Sequence, residues 1–412
     1  MKRRFLFSLL SLLSLSLAAE VSPKEVEEAL LSLREKRRMQ LKQNERGQGV
    51  LTLSGSLSFT HSGKVHEVNG EDHASAHEKG EGSDKQKITA SLLLNYEEEK
   101  SWAKLEFSAK NNFGLQKVKT LTEKPAGDSA IEIRQALFGM KCREEEGLTL
   151  SWEIGRQPAY LVFPSPLQFG SSLDAIVLRA KKQWEAGTLS LTVAPRSLNS
   201  PFNHFGFIAQ IGMDKIAGSG FSLSYSYNHL DGGDYKKVKG EIVEENRFEA
   251  NRHLYLYQNS EIQLHYTFAK PWLSNQTRLF ASFIYNHAAE KEMSEIHQGE
   301  EMSRHPSAWC MGLALGKTPT HTGEWQAKLQ VEHVGENAIS EYDHVGGANI
   351  GISSLPLSPK KPNYCGIRLK TTYAWTDNLF LNGSLLLARE IEERIRGSVR
   401  YRAWELGVSY KF

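Results

Sequence analysis

Cysteine is scarce in this 412-residue chain: Cys142, Cys310 and Cys365 are its three copies, too few for a disulfide framework. On the strand spacing developed below, Cys310 and Cys365 fall two strands apart, roughly 9–10 Å. A disulfide does not reach across that separation, and all three read as unpaired. Beyond the first twenty residues there is no apolar run of membrane-helix length, and the mean hydropathy is −0.44. A helical membrane protein is thereby excluded. Neither sign of charge dominates, with 50 Lys and Arg against 48 Asp and Glu, so no nucleic-acid footprint is written in the composition. No glycine-rich phosphate loop or cofactor motif is present, and no cofactor is expected. His61, His66, His73 and His77 cluster with Glu67, Glu71 and Asp72. They lack the helical spacing or cysteine partners of a metal site, and read as part of a polar loop.

What is present begins with Lys2, Arg3 and Arg4 ahead of an apolar run from Phe5 to Leu17, closed by Ala18 and Ala19. This order of charge, apolar run and small residues predicts a secretory signal peptide over residues 1–19. No cysteine stands at the cleavage site, which argues against a lipoprotein anchor. Residues 20–48 predict a short amphipathic helix and linker. Ser22 caps it, Pro23 takes the first position and Glu25 completes a capping box. Its stripe of Val26, Leu30 and Leu33 is compatible with a coiled coil, a hatch or no role of its own.

From Gly49 to Phe412 the pattern changes to apolar residues at every second position, in segments of about ten. The terminal segment is the clearest, with Trp404, Leu406, Val408, Tyr410 and Phe412 alternating with charged, small or hydroxylic residues. Such a strand has one face for lipid and one for water, and only a closed barrel satisfies its backbone inside a bilayer. Sixteen such segments can be counted, an even number as a barrel with both ends on one side requires. The segment from Ile131 to Cys142 has an ambiguous register. Short turns follow the even-numbered segments and longer polar loops follow most odd ones, which a soluble sandwich has no reason to do. Aromatics near segment ends (Tyr96, Trp102, Trp184, Tyr285, Trp309, Trp375, Trp404) suit interfacial girdles. The fold class is all-β, a transmembrane antiparallel 16-stranded β-barrel over residues 49–412 with a short N-terminal periplasmic helix.

The terminal aromatics Trp404, Tyr410 and Phe412 resemble the C-terminal assembly signal of Gram-negative outer-membrane barrels. That resemblance implies contact with the barrel-assembly machinery, and residence in outer-membrane lipid and lipopolysaccharide. The segment Gln157–Leu173 carries no acidic residue and is unusually apolar for an external loop. Its Pro166, Leu167, Gln168, Phe169 and Gly170 resemble the Pro-Glu-Phe-Gly stretch of the general porins' constriction loop, with one residue more and Gln168 in place of Glu. Gly155, Arg156, Gln157 and Leu173, Asp174, Ala175 also resemble porin signatures at the flanking strand ends. The resemblance implies an aqueous channel for passive diffusion of small hydrophilic solutes and ions, a lumen-folded loop and a homotrimer.

The same registers turn Lys104, Lys110, Arg179, Lys181, Arg196, Arg278, Lys328, Arg368 and Lys370 toward the lumen. Fewer acids face them: Glu106, Glu153, Glu332 and Glu405. Focusing of the field in a narrow channel then predicts a weak anion preference, with Arg179, Lys181, Arg196, Arg368 and Lys104 as the pore-lining candidates. Two other readings compete. A hatch-gated transporter of hydrophobic compounds would run its path along Tyr160, Leu161, Val162, Phe163 and Leu167. A barrel hydrolase would use the Asn–His pairs at 203–204, 228–229 or 286–287, but no serine signature accompanies them, and no enzyme is expected.

Overall fold

The computed structural model describes residues 49–68, 71–72, 84–112, 131–199, 204–230, 257–270, 276–289, 305–335, 337–340, 343, 363–391 and 399–412. The signal peptide, the leader helix and the His-rich part of the first loop lie outside the described residues. In chain order the strands are β1 (Val50–Val68), β2 (Glu71–Asp72), β3 (Asp84–Glu97), β4 (Ser101–Asn112), β5 (Ile131–Glu145) and β6 (Leu148–Pro158). They continue as β7 (Ser172–Trp184), β8 (Gly187–Asn199), β9 (His204–Asp214), β10 (Phe221–Leu230), β11 (Tyr257–Thr267) and β12 (Thr277–Asn286). The last are β13 (Ser307–Leu315), β14 (Trp325–Val334), β15 (Tyr364–Ala374), β16 (Leu379–Glu390) and β17 (Val399–Lys411). Each long strand pairs antiparallel with its neighbours, and β1 pairs with both β3 and β17, so the sheet closes on itself. β2 is a two-residue extension on the tip of β1. The barrel therefore has sixteen long strands, and each coincides with one of the alternating segments of the sequence.

Period-2 alternation sets the two faces. Leu53, Leu178, Leu223, Ile262, Leu329 and Ile367 are among the large apolar side chains exposed on the outside. Their sequence neighbours point inward, where Glu261, Gln330, Glu332 and Arg368 are buried. An apolar outside around a polar inside inverts a soluble fold, and it is the arrangement that lipid demands of a barrel. Seven short connections, at 98–100, 146–147, 185–186, 215–220, 268–276, 316–324 and 375–378, share the rim that holds both barrel termini. At that rim Gly55 and Phe412 exchange two backbone hydrogen bonds of 3.0 Å. The opposite rim carries most of the longer connections, with 200–203 and 391–398 as shorter exceptions.

The ambiguous register of the Ile131–Cys142 segment has a physical cause. Two β-bulges interrupt β5, one against Glu106 and Phe107 of β4 and one between Lys141 and Arg143 against β6. Each bulge inserts an unpaired residue and switches the phase of the alternation. Ile131 and Ile133 thus face outward at odd positions, Phe138 and Met140 at even ones. One girdle expectation is corrected: Trp102 shares the inward phase of Lys104 and Glu106, and its indole N–H donates to Glu153 at 3.1 Å. The first external connection is also shorter than expected, because β1 and β3 stay paired as far as Gly63 and Asp84.

Candidate functional site

The connection between β6 and β7 begins at a short ladder. Gly155, Arg156 and Gln157 lie opposite Ala175, Asp174 and Leu173, so the two triplets picked out in the sequence are cross-strand partners. Arg156 grips Asp174 with two hydrogen bonds of 2.7 and 2.6 Å on the outer face. Gly155 has φ 134, and a Cβ there would come within 2.1 Å of the Ala136 carbonyl oxygen. No other residue fits that conformation and approach.

Beyond the ladder the chain forms one helical turn, α1 (Ala159–Val162), and turns into the barrel. Ala159, Val162, Phe163 and Phe169 pack on Val177 of β7, Ala194 of β8 and Ile208 of β9. Phe169 is fully buried with φ 72, a left-handed conformation that costs a non-glycine residue roughly 1–3 kcal/mol and marks a segment held by its surroundings. Leu167 reaches the far wall, joining Phe280, Ile284, Ala308, Val334 and Tyr364 in a second apolar cluster. The segment therefore crosses the interior from β7–β9 to β12–β15.

Two buried carboxylates fasten it. Glu261 of β11 accepts hydrogen bonds from Ser282 at 2.6 Å, Ser165 at 2.7 Å and the Gln168 amide at 2.6 Å. Gln263 adds a bond to the Pro164 carbonyl at 2.8 Å. The second carboxylate, Asp343, comes from the connection after β14, in which Ala338, Ile339 and Asp343 are also buried. It pairs with Arg196 of β8 at 3.1 Å, accepts from Ser171 and from Asn228, and its backbone carbonyl accepts from Gly170 N–H at 2.8 Å. Burial alone would raise the Asp343 carboxyl. The charge of Arg196 and the hydrogen bonds from Ser171, Arg196 and Asn228 outweigh it and hold the group below the usual aspartate range.

The candidate loop residues are thus in one place. Gln168 is buried, Phe169 is buried, Gly170 touches Asp343, and Pro166 is half-buried between them. Val162, Phe163 and Leu167 are buried in packing, which leaves Tyr160 and Leu161 as the exposed members of the apolar path drawn above. The candidate pore bases are not together. Arg179 of β7 pairs with Glu153 of β6 at 2.5 Å. Arg196 is 3% exposed and committed to Asp343 and Asn228. Arg368 of β15 pairs with Glu332 of β14 at 2.5 Å, and Tyr364 and Gln330 also donate to that carboxylate. Lys181 stands by the short-turn rim beside Glu144, Glu145 and Glu146. Lys104 is exposed, and among the described residues no carboxylate lies within 4.0 Å of it.

Sequence reasoning missed Glu261 and Asp343. Glu261 precedes Ile262 in a clear alternating strand and was readable as inward. Asp343 sits in a long loop, where no periodicity marks it. A Ser–His contact also went unread: Ser260 Oγ lies 2.9 Å from His287 Nε2 and 2.9 Å from the Tyr225 hydroxyl. Among the described residues no carboxylate or amide orients the other ring nitrogen of His287. Asn228 and Asn286 are occupied in binding Arg196 and the Asn337 carbonyl.

No family model matches the sequence, and no curated protein matches it. Among solved structures the chain is similar to OprB of Pseudomonas putida at high pH, with 11% identity, 88% of this chain and 94% of that chain covered, and a TM-score of 0.49. It is also similar to a triple mutant of the Rhodopseudomonas blastica porin, with 9% identity, 88% and 100% covered, and a TM-score of 0.41. At these identities and scores the likeness adds nothing to the strand-by-strand closure described above.

Proposed function

We propose that this chain is an outer-membrane channel passing small hydrophilic solutes and ions by passive diffusion, with the segment 159–171 as its constriction. The observation that carries the reading is the inward loop anchored on both walls of a sixteen-stranded barrel. A barrel of this width is too large to be filled by its own side chains. A loop pinned at Glu261 and Asp343 narrows it without a moving part. The apolar outer face gives lipid contact, and the terminal strand supports delivery by the assembly machinery. Assembly as a homotrimer is implied by the sequence resemblance and belongs to the proposal.

The hydrophobic-transporter reading loses support, because most of its path residues are consumed in packing. The discriminating experiment is single-channel recording of the refolded mature protein in a planar bilayer. Ligand-independent conductance steps are expected. A correctly folded barrel that stays silent under all voltages would overturn the diffusion reading.

A further inference from the structure

The inward wall formed by β12 to β17 is organised in rows of direct cross-strand partners, and the rows differ in charge. Nearest the outer rim, Ile284, Ala308, Val334 and Tyr364 form an apolar row under Leu167. The following rows hold the Glu332–Arg368 ion pair, closed on itself by Tyr364 and Gln330. Below them, toward the short-turn rim, one row reads Arg278, Ala314, Lys328, Lys370, Ser384, Glu405. Three cations thus share a row with one acid. Among the described residues no carboxylate, Glu405 included, lies within 4.0 Å of any of the three.

This row differs from Arg368, whose charge is matched by Glu332. Lys328 and Lys370 are opposite one another on neighbouring strands, a like-charge pair that destabilises a sheet. The Lys328 ammonium lies 4.5 Å above the Phe280 ring, which fixes its stem against the wall. Arg278 stands two strands away on the same row, roughly 10 Å. Arg278 and Ala314 also line a cavity of about 350 Å³ with Gln276, Lys317, Thr318 and Gln326, open at this rim. The cavity adds a fourth cation and hydroxyl and amide donors.

We propose that Arg278, Lys328 and Lys370 form a binding site for a small divalent oxyanion of the phosphate class, on the periplasmic side of the constriction. This rests on the channel reading for its access route, and it moves the anion-attracting charge away from Arg179, Arg196 and Arg368, whose charges are already matched. Two ammonium groups and a guanidinium fork supply charge-assisted donors to oxygen, and an anion between Lys328 and Lys370 relieves their repulsion. Lipid phosphates have no access, because the row faces the lumen.

The test uses the refolded full barrel and inorganic phosphate, titrated by calorimetry in detergent, alongside Lys328→Gln/Lys370→Gln, Arg278→Gln and a control Lys182→Gln, whose ammonium bonds the Glu146 carbonyl at the turn. Phosphate binding is expected to weaken roughly tenfold or more in the first two variants and to stay unchanged in the control. Gel mobility before and after heating establishes that each variant is folded. An intact barrel that does not bind phosphate, or variants that bind it as the parent does, would overturn the site. Bilayer recording is read separately. Conducting channels with unchanged phosphate affinity sink the site and leave the channel, whereas silent barrels that still bind phosphate sink the channel and leave the site.

Discussion

The Asp343 carboxylate and the Arg196 guanidinium meet at 3.1 Å with both side chains almost fully buried, and they join two loops to one wall. Asp343 arrives from the connection after β14, Arg196 stands at the outer end of β8, and Ser171 and Gly170 of the constriction segment bind the same aspartate. Removing one partner leaves an uncompensated buried charge, which costs about 3–5 kcal/mol. Asp343→Ala is therefore expected to lower the thermal unfolding midpoint and to make open-channel current noisier as segment 159–171 loosens. Arg196→Met/Asp343→Leu, which removes both charges, is expected to recover most of the midpoint. A single Asp343→Ala variant with parental midpoint and noise would contradict the latch.

The same pair sets a pH dependence. The Asp343 carboxyl is held below its ordinary value by Arg196 and by hydrogen bonds. A depressed pKa gives stability that is present above the unfolded-state value, about 3.8, and lost as pH falls through the lower folded-state value. Loop closure is thus expected to persist through pH 7 to about 5 and to fail only in stronger acid. Limited proteolysis of the folded barrel across this range reads the opening. Release already near pH 6 would point to a different titrating group.

Glu261 and Gln168 supply the next expectation. The porin pattern that this loop resembles carries Glu where Gln168 stands, and here the carboxylate is on the wall while the loop donates the amide. Gln168→Glu places a second carboxylate beside buried Glu261 and should detach the segment. The exchange Gln168→Glu/Glu261→Gln restores one acid and one amide. A double-mutant cycle on thermal midpoints is expected to give a favourable coupling of about 0.5–3 kcal/mol. Additive effects would mean that the two groups do not act as a pair.

The barrel was legible because its information is local and repeated. Sixteen segments each announce two faces, and the loops sort by length, so an error in one strand leaves the closure unchanged. β5 resisted because a bulge moves the phase by one residue, and nothing in Arg134 or Cys142 signals it. The site was legible only on its loop. Arg179, Arg196 and Arg368 were assigned to the correct face, but alternation says nothing of how neighbouring strands are staggered or of which loop folds in. Glu153, Asp343 and Glu332 neutralise them through contacts set by strand stagger and by a distant loop.

Leu329 and Lys328 are adjacent in β14 and face opposite solvents, which gives a test of the membrane itself. Leu329 is 47% exposed on the outer wall, and a charge on the lipid face costs about 2–4 kcal/mol for Lys or Arg at the midplane, less toward the interfaces. In lipid vesicles Leu329→Lys is expected to lower the folding free energy by an amount of that order. Lys328→Leu, on the lumen side, relieves the like-charge contact with Lys370 and is expected to be neutral or mildly stabilising. In a soluble setting an exposed lysine would be harmless at 329, and the two variants would no longer differ by that cost. Urea titrations of both variants in vesicles separate these cases. A harmless Leu329→Lys would contradict the assignment of the apolar face to lipid.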